Sequence, residues 1–580
     1  MKNKSRFPRR LLLSLTVLSI SVLAFRYLHP PDRLSRVGTA ETGQRYDVRV
    51  LRDSWGVPHI FGVTDADVAY GLGYAHAEDD FDTIQKSLLA ARGELARFYG
   101  KKMAPNDYMV QLLRIWDLVN ARYDRDLSPE VRAVCEAYAA GLNRYARLHP
   151  DKVLPGVLPF TGKDVVAGFV HKVPLFFGLH ETLKELFEPE RKHPVSKRHL
   201  AAGGLNPLNF PRIYGSNAFA VSPRRSAHGE TFLAVNSHQP WEGPVTWYEV
   251  HLHSEEGWDM VGGVFPGSPV VMHGHNRNLG WAHTVNKPDL IDVYVLETNP
   301  ENPNQYRFDG RWLDLEVRTA PIKVKLLGGV TWTVNKEVLW SVYGPVVRRP
   351  HGTYAIRYVG MDEVRYVEQW YRMNKARDFS EWLSAMHMQA IPKFNTIYAD
   401  REGNIYYVYN ARLPLRAAGY DWQAYLPGNT SETLWREVLD YDKLPQVLNP
   451  ASGFVQNCNS TPFQTTIGPE NPRPEAYPPT FGIENTMTNR AYRALELFGA
   501  DTSITEQEFS RYKFDMAYSP RSEVAACVRK ILSFPFPDDP LARTAYDVLR
   551  KWDLRTNPEN TSAALAILTL QSLLHGREIE

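Results

Sequence analysis

The sequence is poor in cysteine and in net charge, and both shortages narrow the kinds of protein it can encode. Three cysteines in 580 residues, Cys135, Cys458 and Cys527, exclude a disulfide framework and allow at most one bridge. The 67 basic and 65 acidic residues leave a formal charge of +2, which gives no reason to expect a nucleic-acid or membrane-surface partner. Internal repeats and low-complexity tracts are also missing. We therefore expect a small-molecule partner and no nucleic acid.

Long apolar runs are missing as well, apart from residues 11–25. This run follows a basic stretch and precedes Pro30-Pro31, an order that is typical of a secretory signal. It is short for a membrane span, and no small-residue cleavage site follows it. Residues 1–30 are therefore predicted to be a signal peptide or an uncleaved signal anchor. Both predict a periplasmic or secreted protein, the second with a membrane tether through residues 11–25.

The whole chain is 43% hydrophobic and 12% aromatic, which is enough for a large core. Apolar positions at helical spacing predict a mostly helical segment over 31–190. Residues 191–215 are rich in Lys, Arg, His, Pro and Gly without periodicity, which predicts an exposed linker. The segment 216–580 reads as short strands to about residue 460, interrupted by a helix near residues 376–388, and as helices from Ile483 to the end.

The linker ends at Gly215-Ser216, and the ordinary interpretation of this serine is a turn residue or a cap. A cut between the two residues would give Ser216 a free α-amine beside its hydroxyl. These two groups form a minimal nucleophile and base, since an α-amine near pKa 8 can take the hydroxyl proton. Glycine before the serine suits such a cut because it lets the backbone twist. The sequence therefore raises a self-cleaving precursor as a hypothesis.

Several ordered motifs carry a family resemblance: "VLRDSWGVPHIFGVTDADVAYGLGYAHAEDDF", "YGSNAFAVSPRRSAHGETFLAVNSHQPW", "GGVFPGSPVVMHGHNRNLGWAHTV" and "FVQNCNSTPF". Together they resemble the penicillin acylase family of N-terminal nucleophile hydrolases, and the pattern is most similar to acyl-homoserine-lactone acylases. The resemblance implies an α+β fold with a four-layer αββα core and additional helical regions. It also implies that this chain lacks the C-terminal segment with which family members generally continue.

The function that the resemblance implies is hydrolysis of the amide bond of N-acyl substrates by a self-processed serine enzyme whose two chains form a heterodimer. Acyl-homoserine lactones or related lipid amides are the expected substrates, and penicillins or aryl-acyl amides are the alternative. A different class of protein, a non-catalytic binding or scaffold protein with the same fold, is kept as a third hypothesis.

The resemblance also implies roles for particular residues. Ser216 matches the nucleophile, His238 the position that aligns its amine and hydroxyl, and Val285 the backbone N–H of an oxyanion hole. Asn459 is preferred over Asn457 as the side-chain donor of that hole. Arg490 matches an orienting arginine, with Arg493 as the neighbour that could be mistaken for it.

Two further sets follow from the resemblance. The acyl pocket is expected to include Val173, Phe176, Phe177 and Gln239. The chemistry needs no cofactor, but a structural calcium ion is expected at Asp289, Ile291 and Asp292, with a carboxylate from Glu181 or Glu185 and a further one from Glu470. Two aspartates three residues apart are also typical of a solvated loop.

Overall fold

The helices fall in an early group and a later group. The computed structural model describes residues 46–196, 215–326, 330–535 and 538–573, and the elements below all lie in the unit formed by residues 48–580. The early group is Asp65–Arg92 (α1), Leu95–Tyr99 (α2), Ala104–Leu112 (α3), Ile115–Asp126 (α4), Pro129–Leu148 (α5), Gly162–Lys172 (α6) and Leu179–Leu186 (α7). The later group is Tyr366–Lys375 (α8), Phe379–Met386 (α9), Asn489–Ala500 (α10), Glu506–Lys513 (α11), Glu523–Leu532 (α12), Pro540–Lys551 (α13) and Thr561–Leu573 (α14).

Two predicted segments fall largely outside this description. The predicted signal or anchor, residues 1–30, and most of the predicted linker, residues 197–214, lie outside the described residues. At the near end of the linker, the buried Ser196 donates its backbone N–H to the carbonyl of Tyr425 at 2.6 Å. Within the described ranges, no helix is long and apolar enough to cross a membrane.

In the part of the chain that the structure describes, the strands form four sheets. In the largest, nine strands run in the order β1-β2-β5-β6-β7-β8-β16-β17-β19, namely Val48–Arg52, Pro58–Gly62, Tyr248–Ser254, Asp259–Val264, His273–His275, Leu279–Thr284, Asn395–Asp400, Ile405–Tyr409 and Gln446–Leu448. Six strands run in the order β12-β13-β14-β15-β9-β18, namely Glu316–Lys325, Thr331–Trp340, Pro345–Arg349, Gly352–Tyr358, Ile291–Leu296 and Leu426–Pro427. A three-stranded sheet has the order β20-β3-β4, Phe454–Asn457, Ser216–Val221 and Phe232–Ser237, and a hairpin pairs β10, Gln305–Phe308, with β11, Arg311–Asp314.

Helices α1 and α6 form one wall of the pocket described below. Local sequence signals determine where both helices begin. Each begins with a capping box, at Thr64 for α1 and at Thr161 for α6, in which the N3 aspartate bonds back to the cap. Arg92, the last residue of α1, makes two bonds to the Asp164 carboxylate at 2.5 and 2.8 Å. The end of α1 is therefore tied to the beginning of α6 by a bidentate charge pair.

The three-stranded sheet is buried on both sides, which is why its central strand β3, "SNAFAV", is apolar over most of its length. On one side, Phe219 and Val221 pack with Phe454 and with Phe498 of α10. On the other side, β3 and β4 pack against β8 and β16 of the nine-stranded sheet. The first residue of β3, Ser216, therefore lies between a helix and a sheet.

The structure departs from the sequence prediction in the helices of the second half. The helix predicted around residues 376–388 is present as α9, but α8 directly before it was missed. Helix α8 carries strand-favouring Val, Tyr and Trp residues, and eight of its ten residues are buried, although its apolar residues recur at helical spacing. The last helical region begins at Asn489 and not at Ile483.

Candidate active site

Ser216 sits at the start of β3 with both of its backbone groups held. Its N–H donates to Asn459 Oδ1 at 2.6 Å, and its carbonyl accepts from Arg490 Nη1 at 2.6 Å. In register, Ser216 pairs with Ser237 on β4. The serine is 2% exposed, and that surface lines a pocket. Its orientation is thus fixed from three directions.

Gly215 occupies a crowded position in front of the serine. A Cβ placed there would lie 2.9 Å from His238 Nδ1 and 3.0 Å from Arg490 Nη2. Its φ is not among the positive values of this chain, so the space and not an unusual backbone conformation requires glycine. The His238 backbone N–H donates to the Gly215 carbonyl at 2.9 Å. Burial, together with the nearby Arg490 charge, lowers the pKa of the His238 imidazole.

The two neighbouring asparagines do different things. Asn459 accepts from Ser216 and from Arg490 Nη2, and its Nδ2 donates to the Val285 carbonyl at 2.9 Å. It has φ of +58°, a left-handed conformation that asparagine tolerates better than most residues. Asn457 is fully buried, and its Oδ1 accepts from Thr284 Oγ1 and from the Asn459 backbone N–H. Of the two, Asn459 is the one that contacts the serine.

Helix α10 holds Arg490 and the Asn459 loop together. The helix cap Thr488 accepts from the Ala491 N–H, and its hydroxyl donates to the carbonyl of Cys458 at 2.9 Å. Arg490 also bonds to Asn217 Oδ1 at 2.6 Å. Arg493, the alternative that sequence reasoning left open, instead pairs with Asp515 and Glu496 away from the serine.

A pocket that is open to solvent lies in front of Ser216. Its lining is mostly apolar and comes from the early helices and the large sheet. Of the predicted pocket residues, Val173, Phe176 and Gln239 line it, as does Val285. Phe177 is buried but does not line the pocket, because the 3₁₀ turn Val173–Phe177 directs it elsewhere in the core.

Sequence reasoning missed most of the lining. The missed residues are apolar or small members of helices and strands, with a few polar ones: Ser87, Leu88, Gly168, Phe169, Lys172, Ser237, Trp247, Phe265, Pro266, Gly267, Ser268, Met272, His273, His283, Trp370 and Phe394. An apolar residue facing a pocket looks in sequence like one facing the core, so no local signal distinguishes them.

The histidines of the lining are neutral. Burial lowers the pKa of both His273 and His283 to about 3. His283 bonds to Thr396 Oγ1 at 3.0 Å and accepts from the Trp370 indole at 3.3 Å, and His273 bonds to Ser237 Oγ at 3.2 Å. Because the hydrogen-bond partners of the two imidazoles are neutral groups, neither imidazole needs to be protonated.

The two aspartates of the expected calcium site meet, but around an arginine. Fully buried Arg416 lies 3.0 Å from an oxygen of Asp289 and 3.0 Å from one of Asp292. It also donates to the Asp289 carbonyl and to the Thr480 carbonyl. Burial raises the pKa of both carboxyls, and the guanidinium opposes that rise.

The carboxylates expected to complete the calcium site have other partners. Glu181 is on the surface beside His180 and Lys184, and Glu185 accepts from the Tyr425 hydroxyl. Ile291 lies in strand β9, and Glu470 accepts from the Ala451 N–H. The expected cage of oxygen ligands does not fit this arrangement, since a guanidinium supplies the positive charge between the aspartates.

Another group of side chains has the right donors for a metal. In the described ranges, the group of three or more His, Cys, Asp or Glu residues with mutually close ligand atoms is His251, His253 and Asp259. These residues lie on β5 and β6, and the exposed Arg277 already bonds to Asp259. They do not line the pocket.

Comparisons with known proteins identify relatives of the chain. The sequence model of the penicillin amidase family matches residues 47–577. The acyl-homoserine lactone acylase PvdQ of Pseudomonas fluorescens is 29% identical over 462 residues, which are 71% of this chain and 58% of PvdQ. Penicillin G acylase of Escherichia coli is 23% identical over 512 residues, 72% of this chain and 59% of that protein. A solved structure, a thermostable penicillin G acylase from Alcaligenes faecalis, matches with a TM-score of 0.50 and 25% identity over 59% of this chain and 60% of that chain. The chain thus spans about three-fifths of the length of these relatives.

Proposed function

Because the chain belongs to the penicillin amidase family, we propose that it hydrolyses the amide bond of N-acyl substrates, with Ser216 as the nucleophile. One observation carries the proposal. Ser216 lines an apolar pocket while Asn459 and Arg490 hold its backbone N–H and carbonyl. This arrangement combines a hydroxyl, a nearby amide donor and a binding space for an acyl group.

The first step that we propose is self-cleavage. The Ser216 hydroxyl attacks the Gly215 carbonyl carbon, the C–N bond breaks, and the nitrogen takes the proton, so that an ester replaces the peptide. The His238 backbone N–H, 2.9 Å from the Gly215 oxygen, is placed to stabilise the charge on that oxygen. Water then hydrolyses the ester and leaves Ser216 with a free α-amine. This role for His238 rests on its backbone and is independent of its side chain.

The same groups then serve turnover. The α-amine takes the Ser216 hydroxyl proton, directly or through a water, as the oxygen attacks the substrate carbonyl. The amine product leaves with a proton from the α-amino group, and water releases the acid from the acyl-enzyme. The Val285 backbone N–H and the Asn459 amide are the proposed oxyanion donors. Asn459 Nδ2 has two hydrogens, of which the Val285 carbonyl takes one. Arg490 keeps Asn459 and Ser216 in line.

For the substrate, we propose acyl-homoserine lactones or related lipid amides. The relatives described as acyl-homoserine lactone acylases and the apolar lining of the pocket support this choice. Penicillins and other aryl-acyl amides are the second candidate. They are favoured by the aromatic wall, in which the Trp247 and Phe265 rings stack at 4.1 Å, since such a wall suits a flat ring.

The remaining proposals concern the life of the precursor. We propose export to the periplasm or beyond on the evidence of residues 1–30, with residues 11–25 as a membrane tether if the signal is not cleaved. We also propose that removal of the linker yields a heterodimer of the early helical segment and the chain that starts at Ser216. A four-layer αββα core is the proposed arrangement of the sheets and helices, supported by the packing of β3 against β8 and β16.

The test is a denaturing gel with N-terminal sequencing of purified protein, followed by assays on acyl-homoserine lactones and phenylacetyl amides. We expect two bands, one beginning at Ser216, and turnover of at least one substrate. Ser216→Ala should abolish both, while the control Ser222→Ala, at the other end of the strand, should process normally. A single full-length band in every wild-type preparation would favour the non-catalytic scaffold, and amide cleavage by Ser216→Ala would refute the assignment of the nucleophile.

A further inference from the structure

The apolar pocket contains one charged side chain among its lining residues, Lys172 at the end of α6. Its Nζ donates to the carbonyl of Pro266 at 2.5 Å. An ammonium has three donors, so this carbonyl satisfies one of them. In the described part of the chain, no carboxylate forms an ion pair with Lys172, and none lines the pocket. Lys172 therefore brings a charge to the pocket without a counter-charge from the protein.

A second polar group in the lining of the pocket lacks a partner. Ser87, on α1, also lines the pocket and is 6% exposed. Its hydroxyl makes no hydrogen bond with any residue that the structure describes. A buried hydroxyl without a partner destabilises the fold, so a ligand that accepts from it gains affinity. Ser87 and Lys172 thus offer donors to the same space.

A series of contacts leads from the nucleophile along the aromatic wall to Lys172. Next to Ser216, Ser237 contacts His273, whose ring lies 4.0 Å from that of Trp247. Trp247 stacks on Phe265, and the following residue is the carbonyl partner of Lys172. The acyl chain of a substrate that reacts at Ser216 would follow this wall. Its far end would then approach Lys172.

The described groups around Lys172 supply no negative charge to its ammonium. Burial lowers the pKa of Lys172 to about 7. Two histidines feel its charge, His76 and His171, and burial lowers their pKa values to about 3 and about 4. Both rings are therefore neutral near pH 7 and supply no negative charge. A ligand carboxylate would both pair with the ammonium and accept from Ser87.

We propose that this pocket binds acyl groups that end in a carboxylate, with Lys172 and Ser87 as the residues that recognise the carboxylate. The substrates would be mono-amides of dicarboxylic acids, hydrolysed by water to the amine and the free diacid while the distal carboxylate stays unchanged. This inference rests on the proposed amide hydrolase function and specifies its acyl group.

The test compares matched p-nitroanilides, in which glutaryl, adipoyl and suberoyl compounds are set against pentanoyl, hexanoyl and octanoyl ones. For at least one pair we expect the wild-type kcat/KM to be about tenfold or more in favour of the acid, the size expected for a hydrogen-bonded charge pair. Lys172→Met should abolish that preference, and Ser87→Ala should reduce it several-fold. The matched control is Lys393→Met, since Lys393 is also buried and donates to a backbone carbonyl, that of Phe176, but does not line the pocket. This control should keep the preference.

Failure of this inference can be distinguished from failure of the proposed function. Turnover of methyl-terminated anilides with no preference for acids, or a preference that survives Lys172→Met, would overturn the inference alone. Absence of both self-cleavage and turnover would overturn the proposed function. In that case, calorimetric binding of glutarate, adipate and suberate still decides the inference, because wild type should bind at least one of them and Lys172→Met should not. Lack of binding to the folded wild type would overturn it.

Discussion

Substitution of Gly215 by alanine should slow self-cleavage, because the added methyl group has no room. Its carbon would lie 2.9 Å from His238 Nδ1 and 3.0 Å from Arg490 Nη2, roughly 0.5 Å inside the separation of about 3.5 Å at which carbon contacts become favourable. Arg490 cannot move freely, since it holds Ser216 and Asn217 at 2.6 Å each. Loss of one hydrogen bond to a charged group costs about 1.5–3 kcal/mol, which corresponds to about a 10- to 150-fold loss of rate.

The assay follows the full-length band of Gly215→Ala with time, and circular dichroism establishes that the variant is folded. Gly499→Ala is the matched control, because a Cβ at 499 meets its nearest neighbour, Ile467, at an ordinary 3.7 Å. Its self-cleavage should equal that of wild type. If folded Gly215→Ala also cleaved at the wild-type rate, the crowding of His238 and Arg490 around the scissile bond would have no part in the reaction.

Three other outcomes are expected. Asn459→Ala should lower kcat by about 100- to 1,000-fold, the cost of one oxyanion donor, whereas Asn457→Ala should mainly lower the Tm because its fully buried side chain links β20 to β8. Arg416→Met should destabilise the fold by about 3–5 kcal/mol in urea unfolding, since it leaves two buried carboxylates unpaired. The control Arg318→Met, at an exposed arginine, should cost less than about 1 kcal/mol. Calcium or a chelator should leave the wild-type Tm unchanged. Finally, a histidine with a lowered folded pKa stabilises the fold above its unfolded pKa of about 6.5 and loses that contribution as the pH falls toward the folded value. For His283, whose folded pKa is about 3, the loss at pH 5 is about 2 kcal/mol, so the Tm should fall between pH 6.5 and 5, and His283→Gln should flatten that slope. Each argument has a result that would contradict it. These results are an equal loss of kcat in the two asparagine variants, a Tm that changes with a chelator, and an unchanged slope in His283→Gln.

The candidate nucleophile could be predicted from sequence because its chemistry is local. A hydroxyl and the α-amine that a cut would release belong to one residue, so Ser216 and the preceding glycine carry the signal in two letters. The reason for the glycine could not be predicted in the same way. Sequence reasoning assigned it to backbone freedom, whereas the structure assigns it to two side chains, His238 and Arg490, that arrive from elsewhere in the chain.

The expected calcium site shows a second limit of prediction from sequence. Asp289 and Asp292 lie together, but the partner that fills the space between them, Arg416, is more than a hundred residues away. No spacing rule links an arginine in "RLPLRAAG" to these aspartates. A carboxylate pair predicts a positive partner, and only the packed structure says whether that partner is a metal or a guanidinium.

The pocket that Lys172 borders sets it apart from the other buried cations. Arg416 has two aspartates as partners, as expected because an isolated buried charge loses its hydration and gains nothing in return. Lys393 donates to a backbone carbonyl, as Lys172 does, and burial lowers the pKa of both lysines to about 7. A backbone carbonyl in place of a carboxylate therefore does not by itself distinguish Lys172. Of the two lysines, Lys172 lines the pocket, so a ligand in that space can supply a counter-charge to Lys172 and not to Lys393.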